Sequence, residues 1–183
     1  FLLILFQTGC LFHQPIPSLS ETEIQESSSY EQSKILRQYR KRTNVSKNDS
    51  DTIIDAYNNI IKILRLTKGE DSLEVIQTVS DLGCYYGMEL RDYENAEKRL
   101  TEAYQIGLDH HQNDPDVQIF NLQNLAYFYE DVGELSIATL YFEQLYDIFK
   151  IEHGLENPDL IDFGISIIAQ YGGDILDFYS ESE

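Results

Sequence analysis

An all-α fold of stacked helical hairpins is predicted by three observations. Apolar residues recur every three to four positions from Asp51 onward, few breakers interrupt those runs, and the pattern repeats at a spacing of 42 residues. Strands have no comparable claim. The 183 residues are 42% apolar and 12% aromatic, enough for a packed core, so wholesale disorder is excluded. Thirteen Lys plus Arg against thirty-two Asp plus Glu leave a formal net charge of -19. Such a field repels phosphate backbones and anionic headgroups, so nucleic acid is a poor partner. Two cysteines, Cys10 and Cys84, exclude a disulfide framework, and no apolar run reaches the roughly 18 to 20 residues that span a bilayer.

The amino end is read first. Phe1 rather than Met opens the chain, so upstream residues are expected to be missing. A six-residue apolar run, Phe1 to Phe6, is followed by Gln7-Thr8-Gly9-Cys10 and then by a stretch rich in Ser, Glu and Gln. That order resembles a bacterial lipoprotein signal, in which the thiol after a short small-residue box is diacylated. Gly9 and Cys10 match the box, Thr8 is acceptable, and Gln7 stands where the family places an aliphatic residue. The resemblance implies lipidation at Cys10 and an envelope location, membrane-anchored on the extracytoplasmic side. A cleaved secretory signal, or the buried start of a longer cytoplasmic protein, are the other readings. The expected division is a signal remnant at 1–10, a flexible polar tether at 11–33, a basic helix and linker at 34–50, and a repeat domain at 51–183.

Residues 34 to 47 hold six of the thirteen basic groups: Lys34, Arg37, Arg40, Lys41, Arg42 and Lys47. Ile35, Leu36 and Tyr39 recur there at helical spacing, which fits an amphipathic helix on the acidic body as well as a solvated charged linker. Asn44 and Asn48 open Asn-x-Ser triplets, which are glycan acceptors only in a eukaryotic secretory route.

From Asp51 onward seven basic residues face twenty-seven acidic ones. Ile53 to Leu66 presents Ile53, Ile54, Tyr57, Ile60, Ile61, Ile63 and Leu64 on one stripe, with Ser50 or Asp51 as its cap and Gly69 as its stop. Val75 then pairs with Val117, Tyr85 with Tyr127, Ala96 with Ala138, Tyr104 with Tyr146 and Ile106 with Ile148, all 42 residues apart. Each copy holds two helical runs, about 72 to 90 then 92 to 110, and 115 to 131 then 134 to 152. A third copy begins one residue late, at Glu156-Asn157-Pro158-Asp159-Leu160. Pro115 and Pro158 suit a first helical turn, where the missing amide hydrogen would have no partner. One hairpin cannot hide its own apolar stripe, so the copies must stack into a solenoid.

These residues resemble the 42-residue tetratricopeptide repeats typified by kinesin light chain. The second copy matches best, through Pro115, Asp116, Val117, Gln123, Asn124, Leu125, Ala126, Phe128, Tyr129, Gly133, Ala138, Tyr141 and Leu145. In the first copy Gly83 and Cys84 occupy the Leu-Ala positions, Gly87 replaces Tyr and Arg91 replaces the turn Gly, while Tyr93, Ala96 and Leu100 fit. The third keeps Pro158, Asp159, Ile168 and Ala169 before Gly172-Gly173-Asp174. The resemblance implies a right-handed superhelix of two to three repeats with a degenerate terminal hairpin, binding a peptide on the concave face lined by each first helix.

Carried onto this sequence, the inner stripe comprises Thr78, Asp81, Tyr85, Met88 and Glu89, then Phe120, Gln123, Asn124, Tyr127, Glu130 and Asp131, continued by Phe163, Ser166 and Gln170. No Lys or Arg occurs in these first helices, which excludes a clamp for a terminal carboxylate. Aromatic faces, amides and carboxylates suit a basic or aromatic protein segment instead. Tyr129, Tyr141, Phe142 and Tyr146 are expected in the core.

Chemistry has little support. His110 and His111 read as a helix C-terminus, His153 likewise, and Cys84 as a small buried group. No phosphate loop, nucleophile elbow or metal-binding His pair is present. The expectation is a non-catalytic protein-interaction module without cofactor or metal. Its alternatives are a cytoplasmic adaptor and a scaffold self-associating through the 34–47 segment on the acidic body.

Overall fold

Short polar side chains that accept hydrogen bonds from free first-turn amides set where each helix begins. In the computed structural model, which describes residues 20–43 and 49–153, seven α-helices follow one another and no strand occurs among those residues. They are α1 (Glu21–Glu26), α2 (Ser29–Thr43), α3 (Ser50–Lys68), α4 (Leu73–Cys84), α5 (Tyr93–His110), α6 (Pro115–Asp131) and α7 (Leu135–His153). Helix α4 runs on into a π-helical turn, Tyr85–Leu90.

Ser20 and Glu23 close a reciprocal capping box on α1, and Ser28 with Glu31 does the same on α2. Asp49, not Ser50 or Asp51, caps α3 by accepting from the Thr52 amide at 2.9 Å. Ser72, Asp92 and Asp114 cap α4, α5 and α6. Five of the chain's many carboxylates, Glu23, Glu31, Asp49, Asp92 and Asp114, are thereby spent on helix starts. Gly69 stops α3 at φ 106, as its position suggests, and His111 ends α5 with its ring Nε2 2.6 Å from the Asp71 carbonyl.

The helices pack in adjacent antiparallel pairs, α2 with α3, α4 with α5 and α6 with α7, while α3 meets α4 and α5 meets α6. This is an all-α helical-hairpin solenoid. Its core falls into two clusters, one of Ile60, Leu64, Ile76, Val79 and Leu82 and a second of Leu100, Leu122, Leu125, Phe142 and Leu145. Residues 42 apart are alike in burial: Val75 and Val117 are buried, Ala96 and Ala138 both fully so. On the α3–α5 side Arg65 bonds Glu102 at 2.6 Å and Glu70 at 2.8 Å, and Arg99 bonds Glu102 at 2.9 Å.

Two expected boundaries shift. The tether does not extend to residue 33, because Glu21–Glu26 and the residues from Ser29 onward are already helical and Ile24 is buried against the core, where α1 packs on α3. The basic stretch is helical as expected through Thr43, and it is a hairpin partner of α3: Tyr39 is buried, Ile35 and Leu36 pack on the core, and burial pushes the Tyr39 phenol up. The packed unit therefore includes the residues before Asp51, back at least to Ile24. Residues 1–19, 44–48 and 154–183 lie outside the described residues, and with them Cys10, both Asn-x-Ser triplets, Phe163, Ser166, Gln170 and the third copy.

Candidate functional site

Helices α4 and α6, the first of their hairpins, lie side by side and are tied where Asn124 Nδ2 donates to Ser80 Oγ at 2.8 Å. Between the π-helical turn and α6 opens a cavity of about 630 Å³ lined by Gly83, Cys84, Gly87, Met88, Leu100, Asn124, Tyr127, Phe128, Glu130 and Asp131. Its origin is legible in the repeat. Gly83 and Gly87 stand 42 residues before Leu125 and Tyr129, so the second hairpin carries large side chains where the first carries none, while Cys84 is slightly larger than its counterpart Ala126. Leu100 fills the Gly83 position, its Cγ 2.9 Å from where a Cβ would sit, whereas at Gly87 the neighbours stand back, with Ala96 Cβ at 3.4 Å and Phe128 at 3.7 Å.

The turn that closes the cavity departs from its counterpart as well. Gly133 takes a positive φ of 84 after α6, and the Glu134 amide bonds the Tyr129 carbonyl. In the first hairpin the equivalent left-handed position is Arg91, at φ 56, and the Asp92 amide reaches past Gly87 to the Tyr86 carbonyl. A non-glycine residue there costs about 1 kcal/mol or more. Arg91 NH1 bonds Asp131 Oδ2 at 3.0 Å and Tyr93 Oη at 3.3 Å, pinning the strained turn to the end of α6. π-helical turns are rare and recur at functional sites.

Five of the residues expected on the inner stripe line the cavity: Met88, Asn124, Tyr127, Glu130 and Asp131. Met88 is 64% and Tyr127 55% exposed, large apolar surfaces facing solvent on opposite walls. Tyr127 is braced edge-on by Phe142 at 5.6 Å. Asp131 is already paired with Arg91, and Asn124 has committed its amide nitrogen to Ser80, so neither offers its full capacity to a ligand. Glu89 is exposed beside Met88. Thr78 is buried and bonds back to the Glu74 carbonyl.

Asp81 and Tyr85 form a separate group one turn earlier. Tyr85 meets Tyr57 of α3 with ring centroids 6.2 Å apart. Asp81 is open to solvent yet crowded by surrounding protein, and this desolvation holds its carboxyl above the usual range. A group both accessible and crowded is the signature of a recessed surface. Phe120 does not belong to the site: it packs half-buried on the core that α3 and α4 share. Gln123 is half-buried and lines no part of the cavity.

Gly83, Cys84, Gly87, Leu100, Phe128 and Tyr57 were not expected there. For the first three the signal was present as departures from the repeat pattern, legible at Gly83 and Gly87 as missing volume rather than as functional groups. Leu100 and Phe128 fit the pattern and reach the cavity only because that volume is missing. Tyr57 comes from a second helix, which the face assignment leaves out. Burial pushes the Cys84 thiol up, and the charge of Asp81 adds to it, so the thiol is held neutral and unreactive. Tyr129, Tyr141 and Phe142 do enter the packed interior: Tyr129 stacks on Tyr141 at 5.6 Å and donates to Glu97 at 2.7 Å.

A scan against protein-family models gives no match, and a search of curated proteins finds no similar sequence. Among the described residues no helix is long and apolar enough to cross a membrane, and no group of three His, Cys, Asp or Glu is placed to hold a metal ion.

Proposed function

We propose that this chain is a non-catalytic protein-interaction module of the tetratricopeptide type, holding a basic or aromatic peptide segment on the α4–α6 face. The observation that carries the reading is the cavity of about 630 Å³, lined by Gly83 and Gly87 where the next copy carries Leu125 and Tyr129. Apolar walls from Met88, Tyr127, Phe128 and Leu100 accept one large side chain, and Glu130, Glu89 and Asp81 along the same face favour cations beside it. Most of the affinity is expected from that buried anchor, with the exposed charges contributing orientation and on-rate.

The test uses peptides in which Lys and Arg alternate with Phe, Tyr or Leu, titrated against the full chain by fluorescence anisotropy. Met88→Ala with Tyr127→Ala should weaken binding at least tenfold at unchanged helix content, since both side chains are exposed in the free protein. Equal binding by wild type and the double variant rules the cavity out. Asn124 is a poorer probe, because its replacement also removes the bond to Ser80. A lipid tether at Cys10 on the extracytoplasmic face of an envelope belongs to the same proposal, supported by the Gly9-Cys10 box. Intact mass of the membrane-extracted protein decides it: no added diacylglyceryl mass removes the tether and leaves the peptide reading intact.

A further inference from the structure

Helix α2 carries five basic residues against the single acid Glu31, while α4 to α7 each carry more acidic than basic residues. One flank of α2 is buried against α3 through Ile35, Leu36 and Tyr39. The opposite flank presents Arg37, Arg40 and Lys41, with Ser33 and the edge of Leu36, around an open hollow of about 360 Å³. These three cations are exposed, and none forms an ion pair among the described residues, although Lys62, Arg65, Lys68, Arg91 and Arg99 all do. Tyr30, 77% exposed, stands on the same stripe, since positions 30, 33, 37 and 41 recur at helical spacing. Cations with an exposed aromatic on one helical stripe are the ligand chemistry that the α4–α6 face asks for.

We infer that the outer flank of α2, led by Arg37, Arg40 and Lys41, docks on the α4–α6 face of a second copy of this chain. This rests on the reading of that face as a site for basic, aromatic segments. The occupant is a second copy because α2 is locked into its own hairpin with α3 and cannot turn its outer flank toward the groove beside it. Charge complementarity selects the acceptor: Asp81 and Glu89 are exposed there, Glu130 lines the cavity, helices α4 and α6 carry no Lys or Arg, and Arg91 beside them is paired with Asp131. A helix lying in a groove is an established way to recognise such a stripe. Donor flank and acceptor groove are different surfaces, so the contact is head-to-tail and adds copies in a row unless the rotation closes a ring.

Sedimentation of the full chain tests it. Low salt should give species whose mass grows with concentration, and raising the salt toward 1 M, where screening acts within about 3 Å, should return the monomer. Neutralising the donor with Arg37→Gln, Arg40→Gln and Lys41→Gln should abolish growth, and so should neutralising the acceptor with Asp81→Asn, Glu89→Gln and Glu130→Gln. An equal mixture of the two variants should recover a complex that stops at two chains, because one donor and one acceptor survive. A wild type that stays monomeric at low salt overturns the inference, as does growth that either triple variant leaves unchanged. Binding of monomer to phosphatidylserine vesicles through the same three cations also overturns it, assigning α2 to a membrane. The donor variant should still bind the Lys/Arg-aromatic peptides, at least as tightly as wild type. If it binds them without self-association in the wild type, only this inference fails, whereas loss of both condemns the groove itself.

Discussion

Hairpins α4–α5 and α6–α7 are built on the same 42-residue plan, yet near its turn one is hollow and strained while the other is filled and relaxed. Leu125, Ala126, Tyr129 and Gly133 give the second hairpin a packed interior and a glycine turn. Their counterparts Gly83, Cys84, Gly87 and Arg91 give the first a cavity, a π-helical turn and a left-handed arginine. Both are stable in one solenoid because each borrows core from its neighbour, so a repeat whose stacking is secure can be hollowed locally. The comparison teaches that the site is made by subtraction from the repeat.

The largest effect should come from imposing the first hairpin's hollow on the second. Leu125 is fully buried, and Leu125→Ala should cost about 2 to 5 kcal/mol, read as a lowered denaturation midpoint. A loss under about 1 kcal/mol would mean that α6 and α7 collapse as readily as α4 and α5, and the contrast would not be one of packing.

Next in size is a feature that runs the other way. Asn121 is buried against Gly107 and Val117, with neither Oδ1 nor Nδ2 hydrogen-bonded, whereas its counterpart 42 residues earlier is Val79. Unpaired buried polar atoms cost about 1 to 3 kcal/mol. Asn121→Leu, of similar shape, should therefore stabilise the protein by an amount of that order and raise Tm by several degrees. A lower Tm would show that the amide is satisfied by water, and would place a hydrated seam between α5 and α6.

Much of this architecture was legible in the residues. Periodicity located α3 to α7 within a few positions, because buried faces of stacked helices must be apolar at helical spacing. The extent of the amino-terminal unit was not legible, since α1 and α2 bury only Ile24, Tyr39 and a few flanking side chains beneath a charged exterior. At the site, Met88, Asn124, Tyr127, Glu130 and Asp131 are the residues that the repeat resemblance, aligned on Ala96 and Ala138, implies for the inner stripe and that also line the cavity. Phe120 was misplaced because an aromatic near the stripe edge turns toward whichever core is closest, here that of α3 and α4. The cavity depends on volumes at pairs of positions, which a phase argument does not weigh.

The turns allow a smaller and more pointed comparison. A Cβ at Gly133 would meet nothing within 4 Å, so Gly133→Ala isolates the backbone cost of the left-handed conformation, about 1 to 2 kcal/mol. Arg91→Gly relieves that same strain but surrenders only an exposed, solvent-screened pair with Asp131. The first substitution should lower the urea midpoint clearly and the second should leave it nearly unchanged or slightly raised. Similar losses from both would mean that Arg91 is held in place by more than its ion pair.

The smallest effect distinguishes Asp81 from Gln123, the residue 42 positions on. Desolvation on the recessed face raises the Asp81 pKa above that of the unfolded chain, near 3.9. An acid shifted this way binds its proton more readily when folded, so its ionised form disfavours the fold at neutral pH, and the penalty fades as pH drops through the folded pKa. Asp81→Asn should therefore be slightly more stable than wild type at pH 7, and the two urea midpoints should converge as the solution is acidified. The same desolvation gives a cation a reason to dock there, because a positive charge beside the carboxylate restores the partner that water no longer supplies. Basic peptides should accordingly bind more weakly in acid than at neutral pH, and Asp81→Asn should flatten that dependence. Midpoints separated by the same amount at every pH would show that Asp81 titrates alike in the folded and unfolded chains, and would leave the cation preference of the α4–α6 face to Glu89 and Glu130.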